Sequence, residues 1–245
     1  MTSPTAFPRT FPELLSARLQ GDPGQPLVTA YDDATGERTE LSVTTYANWV
    51  SKTANLFTDE LGLDAGDTVL LDLPAHWLVP VFLGAAWSSA LAVTTDAEVP
   101  HDLVVCGPDA IERHAGADQV VACALLPFAV RSREPLPEGV LDYGLLWPGQ
   151  SDVFVPLDPP TPDIVAWLVA GEARTQAQVL EEATAAGYEP GVRLLTDVHP
   201  AEDHGVPAFL GPLVSRGSLV LLRNVEESAW PARAEDERAD AQLRA

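Results

Sequence analysis

Between Leu73 and Thr95 the chain carries no Asp, Glu, Lys or Arg. A stretch that long and that apolar either crosses a bilayer or is buried in a core. His76, Pro80 and the polar pair Ser88 and Ser89 interrupt it, and it divides into a helix over Trp77 to Ser89 and a short strand from Leu91 to Thr94. That division favours burial over a membrane span. Just ahead, Thr68 to Leu73 is a run of strand length closed by Pro74, so the local order is strand, helix, strand. Short runs apolar on both faces belong in a parallel sheet covered by helices.

The same rhythm recurs along the chain. Leu103 to Cys106, Gln119 to Leu125, Ile164 to Val169, Arg193 to Thr196 and Ser218 to Leu222 read as strands, with helices over Asp109 to Ala115, Gln176 to Ala186 and Val206 to Val214. Earlier, Thr10 and Glu13 stand at capping-box spacing and open a helix over Phe11 to Leu19, with Pro12 in its first turn. Leu27 to Tyr31 and Arg38 to Leu41 read as a hairpin around Asp32, Asp33 and Gly36. A longer helix then aligns Tyr46, Trp49, Val50, Ala54, Phe57 and Leu61 on one face, and Gly62 stops it. The fold class expected is α/β, with largely parallel sheets flanked by helices.

Charge narrows the partners. Lys and Arg total 14 against 36 Asp and Glu, a net charge of -22, with 46% hydrophobic residues. That is a folded acidic chain, repelled by phosphate over most of its surface, so neither nucleic acid nor a membrane surface is an expected partner. Lys52 is the only lysine, and the arginines are scattered. Met1 to Pro12 lacks a basic start followed by an apolar core, and Cys106 and Cys123 stand in apolar runs without metal-ligand spacing. Both features point to a cytoplasmic location with reduced cysteines.

Prolines divide the chain. A Pro-rich connection over 131–162 separates a first βα lobe, 1–130, from a second, 163–225, and a polar acidic tail over 226–245 reads either as a short surface helix or as frayed chain.

One segment looks familiar. Thr45-Tyr46 opens a helix that runs through Ala54-Asn55-Leu56 to Leu61-Gly62-Leu63-Asp64-Ala65-Gly66-Asp67-Thr68-Val69, followed by a strand, Pro74 and the helix containing Gly84-Ala85-Ala86-Trp87. Gly62 suits a left-handed helix cap, and Gly66 the next reversal. This order resembles the N-terminal portion of the AMP-binding, adenylate-forming enzymes, which include the acyl-CoA synthetases. Phe209 to Leu221 is similar to the helix, glycine and strand that follow that family's acyl-pocket histidine. The resemblance covers most of this chain but only the N-terminal half of the family.

The resemblance implies a phosphate loop rich in Gly, Ser and Thr directly after a strand, ending in a lysine. Here that position, after Val169, reads Ala170-Gly171-Glu172-Ala173-Arg174-Thr175. One glycine remains, lysine is missing, and Glu172 places a negative charge where phosphates would approach. The family's metal-binding glutamate, ribose-binding aspartate and C-terminal lysine have no matching positions. The expectation is therefore a non-catalytic relative, with no catalytic residue and no cofactor, that works as a homodimer or with another protein. Two alternatives stay open: a subunit of a split synthetase, and a binder of a small acyl-type ligand.

Asp197, His199, Glu202, Asp203 and His204 gather acids and imidazoles around Pro200. Three readings stand: a solvated loop, a metal site, or a ligand-pocket remnant, to which the resemblance would assign His199, His204 and Phe209. The expectation is no metal. Cys106-Gly107, at a strand end, reads as a core thiol because no basic neighbour precedes Arg113.

Overall fold

Thr10 and Glu13 close the capping box that their spacing predicts: the Thr10 hydroxyl accepts from the Glu13 amide at 3.4 Å, and the Glu13 carboxylate accepts from the Thr10 amide at 3.3 Å. The computed structural model describes residues 7–169 and 171–245. Of the opening Met1 to Pro12 stretch, residues 1–6 lie outside the described residues, as does Ala170.

In chain order the elements are α1 (Phe11–Gln20), β1 (Pro26–Asp32), β2 (Glu37–Ser42), α2 (Val43–Asn55), β3 (Thr68–Asp72), α3 (Leu78–Ser88) and β4 (Ala92–Thr94). There follow β5 (Leu103–Cys106), α4 (Ile111–His114), β6 (Val120–Ala122), β7 (Val140–Asp142), α5 (Tyr143–Leu146), β8 (Val165–Val169), β9 (Glu172–Thr175) and α6 (Gln176–Ala185). The chain ends with β10 (Arg193–Thr196), α7 (Gly205–Val214), β11 (Ser218–Arg223), α8 (Trp230–Asp236) and β12 (Ala241–Leu243).

Two sheets form, in the orders β12-β10-β11-β1-β2 and β7-β6-β5-β3-β4-β8-β9. Among the described residues only β1–β2 and β8–β9 pair antiparallel; every other pairing is parallel. The α/β class with largely parallel sheets holds. Strand residues alternate between two environments, as a period of two demands. Val28, Leu194, Leu219 and Leu221 of the first sheet share one core with Val69, Leu71, Val105 and Val121 of the second and with residues of α1, α2, α3, α6 and α7. The intervening residues face outward: Leu70, Val104, Cys106 and Val120 pack beside Ile111 of α4, and Leu195, Val220 and Leu222 pack under Trp230 of α8. A shared helical layer thus lies between the sheets.

The charge-free stretch became α3 and β4, with every residue of α3 buried. No helix among the described residues is long and apolar enough to cross a membrane. Where α2 crosses α3, Gly84 admits the Tyr46 hydroxyl and Val50; a Cβ at Gly84 would stand 2.8 Å from Val50 Cγ2. The Tyr46 hydroxyl donates to the Pro80 carbonyl at 2.7 Å. Gly62 and Gly66 take the left-handed backbone expected of them, at φ +70° and +98°.

The division into lobes needs correction. The first sheet unites β1 and β2, from the segment 1–130, with β10 and β11 from 163–225, whereas β8 and β9 of 163–225 complete the second sheet. Apolar patterning marks strands but carries no record of which strands pair. The Pro-rich connection also contributes, since Leu141 of β7 pairs with Val121. In the tail, α8 caps the first sheet and β12 joins its edge, so 226–245 is part of the fold. Glu237 anchors it, buried and paired with Arg38 at 2.9 Å, with Arg193, and with the Tyr31 hydroxyl.

Candidate functional site

In open α/β sheets, ligands favour the carboxyl ends of parallel strands. Both sheets present such ends near one another. The second sheet's β3 ends at Asp72 and leads into Leu73, whose carbonyl accepts a hydrogen bond from His199 Nε2 at 2.9 Å. His199 follows β10 of the first sheet, so this bond joins the two sheet ends. His199 Nδ1 accepts from the Ala201 amide at 3.2 Å, which fixes the neutral tautomer with its proton on Nε2. Burial lowers the His199 pKa and outweighs the Leu73 carbonyl and Glu202, which act the other way. The ring is a loop clamp. Gly205 lies against the His199 carbonyl, where a side chain would collide.

The position expected to hold a phosphate loop is a tight hairpin. Val169 pairs with Glu172, and Gly171 turns at φ +86°. From Glu172 to Thr175 the chain runs as β9 alongside β8, in place of an open loop whose amides could converge on an anion. Thr175 caps α6 in a reciprocal box with Gln178, at 3.3 and 2.8 Å, so its hydroxyl is occupied.

Arg174 is the cation of this region, and it is fully partnered. It meets Asp203 at 2.9 Å, Glu182 at 3.3 Å and Glu172 at 3.5 Å, with its guanidinium 4.9 Å from the Trp167 ring centroid. Burial opposes its charge, but Asp203, Glu182 and Glu172 outweigh that and raise its pKa. The structure therefore brings the two sequence-predicted groups together, Glu172 and Arg174 from the hairpin and Asp203 from the histidine loop, as a closed ion-pair cluster.

The remaining pocket residues diverge. His204 is exposed just ahead of α7, and its side chain makes no capping bond. Phe209 is fully buried, 6.4 Å from the Tyr46 ring and 6.5 Å from Trp87, and its ring is part of the core. Asp197 turns to Arg244 at 3.0 Å. Among the described residues no group of His, Cys, Asp and Glu gathers as metal ligands would.

Sequence reasoning missed two features. Asp72 accepts from Arg113 at 2.5 Å and from His114 Nε2 at 2.6 Å, residues 41 and 42 positions away. Cys106 stands opposite Asp72 in register, and burial pushes its thiol up to about 11, as a core thiol requires. The second feature is a cavity of about 10 Å³, room for one water-sized group, lined by Tyr31, Asp32, His76, Trp77 and Arg223. Burial and then Arg223 hold His76 at about 3 despite Asp32. Only the isolated strand-end acid Asp72 hinted at the first, and nothing in the sequence hinted at the second.

No family model matches the chain. The fold matches a Brucella canis acyl-CoA synthetase with a TM-score of 0.78 at 17% identity, covering 96% of this chain and 47% of that one. A Mycobacterium tuberculosis fatty acyl CoA synthetase matches at 0.72 and 12% identity, covering 96% of this chain and 49% of its own. The adenylation domain of a keto acid-selecting NRPS module matches at 0.73 and 15% identity, covering 97% and 46%. The chain thus has the fold of the N-terminal part of these adenylate-forming enzymes and spans about half their length. A TIGR03089 family protein of Mycobacterium tuberculosis is 35% identical over 253 aligned positions, covering 97% of this chain and 98% of the relative. The chain belongs to the TIGR03089 family.

Proposed function

We propose that this chain is a non-catalytic member of the adenylate-forming fold, acting by binding a protein partner in the cytoplasm. One observation carries the reading. Where a triphosphate would need free amides and a cation, there is a paired hairpin whose arginine is neutralised by Glu172, Glu182 and Asp203. Nothing there would offset the charge that develops at an α-phosphate. Cys106 and Cys123, both buried and unpaired, suit a reducing compartment.

The test is a thermal-shift panel of ATP, AMP, free carboxylic acids and acyl-CoA, with ATP-pyrophosphate exchange run in parallel. The expected result is a flat panel and no exchange. A ligand at 100 times its Kd would stabilise by about 2.7 kcal/mol, so binding would be plain. An acyl-CoA or free-acid shift without an ATP response would replace the partner role with acyl-ligand binding. The match to about half of each solved synthetase favours a second reading, a subunit of a split synthetase. Exchange appearing only on mixing with a lysine-bearing AMP-binding polypeptide would establish it.

A further inference from the structure

Among the described residues the most exposed large apolar side chains fall in two places. The first is the extended segment Ser151 to Asp158. Its residues alternate: Phe154 packs against the core, while Val153, Val155 and Leu157 point outward, 70%, 79% and 100% exposed. A segment outside both sheets, with three aliphatic side chains in solvent at every second position, is a surface waiting for cover. It is also held in place. The Asn55 amide donates to the Ser151 and Val153 carbonyls, both at 3.0 Å, and Lys52 bonds the Gln150 carbonyl and pairs with Asp152 at 3.1 Å. The chain's single lysine thus fixes the start of this display.

The second place is a groove of about 910 Å³ beside β7, the edge strand of the second sheet. Val130, Leu136, Leu141 and Leu145 line it together with Arg131, Arg133 and Glu134. Neither arginine is in an ion pair with a described residue. Asp142, also in the groove, is occupied by the Ser132 and Gly144 amides at 2.8 and 2.9 Å. Next to it, Phe128 and Ala129 both adopt left-handed backbone, at φ 60° and 47°, leaving the Phe128 ring 80% exposed. Strain that displays an aromatic ring in water is a mark of a functional surface.

The two places are complementary. Arg131 and Arg133 have no ion-pair partner among the described residues, and the aliphatic segment ends on an acid, Asp158. We propose that the occupant of the groove is the Ser151–Asp158 segment of a second copy of this chain. Two copies exchange segments about a twofold axis, with Val155 and Leu157 against the groove's leucines and Asp158 at Arg131 and Arg133. This names the partner of the binding role proposed above.

Sedimentation velocity of the full chain from 1 to 100 μM tests it, with an expected dimer of twice 26.1 kDa. Val155→Asp with Leu157→Asp, both on exposed positions, is expected to give a monomer with unchanged circular dichroism. Arg133→Asp and Asp158→Arg should each weaken association at least tenfold, and the two combined in one chain should restore it. A wild-type monomer at 100 μM overturns the proposal, as does a dimer indifferent to the aspartates or to the charge exchange. ATP turnover by an intact dimer would remove the non-catalytic reading and leave this one standing.

Discussion

The Arg174 guanidinium lies 2.9 Å from the Asp203 carboxylate and ties the β8–β9 hairpin to the loop that leads into α7. Both partners keep some solvent contact, so the pair contributes modestly and the stack on Trp167 adds to it. Arg174→Ala is expected to cost about 1 kcal/mol in urea unfolding, with Arg174→Lys recovering part of it. A loss above about 3 kcal/mol would show that the cluster is a buried network of another order.

Gly84 is where two helices touch. Gly84→Ala places a methyl against Val50 and the Tyr46 hydroxyl and is expected to destabilise by about 1–3 kcal/mol, as overpacking does. Tyr46→Phe removes only the bond to Pro80 and should cost about 1 kcal/mol. Equilibrium denaturation checks both, and an alanine tolerated at no cost would contradict the crossing described.

His76 makes stability depend on pH. Its folded pKa of about 3 lies below the unfolded 6.5, so between those values the unfolded chain binds the extra proton. Stability should therefore fall as pH drops from about 6.5 toward 3, by at most about 1.4 kcal/mol per pH unit from this group. His199, also lowered, adds to the fall. Glu237 acts in a lower window. Burial pushes it up, but Arg38, Tyr31 and Arg193 outweigh that and hold it at about 2 against 4.5 unfolded. Its stabilisation is complete above about pH 4.5 and is lost as pH falls toward 2. Thermal unfolding of His76→Gln should show a shallower slope between pH 6.5 and 5 than the wild type.

The tail is expected to be indispensable. Removing residues 226–245 bares Leu195, Val220 and Leu222 and strips Arg38 and Arg193 of Glu237. Glu237→Gln alone should cost on the order of 2 kcal/mol, since Arg193 loses its close carboxylate and Arg38 keeps only Glu40. An unchanged melting temperature in the truncated chain would refute this.

What was legible in the sequence was whatever local chemistry decides. The Thr10 cap, the Gly62 and Gly66 reversals and the helix within the charge-free stretch follow from spacing and from φ preferences alone. Strand partners did not. Val28 lies beside Leu219 because sheet edges compete across the whole chain, and alternation records burial without naming a neighbour. β9 was missed because Glu-Ala-Arg-Thr has no apolar face; pairing with β8 makes it a strand. At the candidate site, Gly171 and Arg174 were visible as residues. Neither the Asp203 that helps silence Arg174 nor the Asp72–His114 contact can be read from sequence, because each joins elements far apart in it, and the Arg174–Glu182 pair depends on how β9 turns into α6.

The pairing of β1 with β11 sets the order in which this protein can be born. The second sheet is complete in sequence once β9 has left the ribosome, whereas β1, made among the first residues, must wait for Ser218–Arg223 before its second edge is covered. Until then the nascent chain carries a hairpin, β1–β2, with Leu27 and Val28 unprotected. Contacts of such long range slow folding. The first sheet therefore completes after the second, and a nascent chain stalled only once Thr175 has cleared the exit tunnel should hold a protease-resistant second sheet beneath an N-terminus that is still cut.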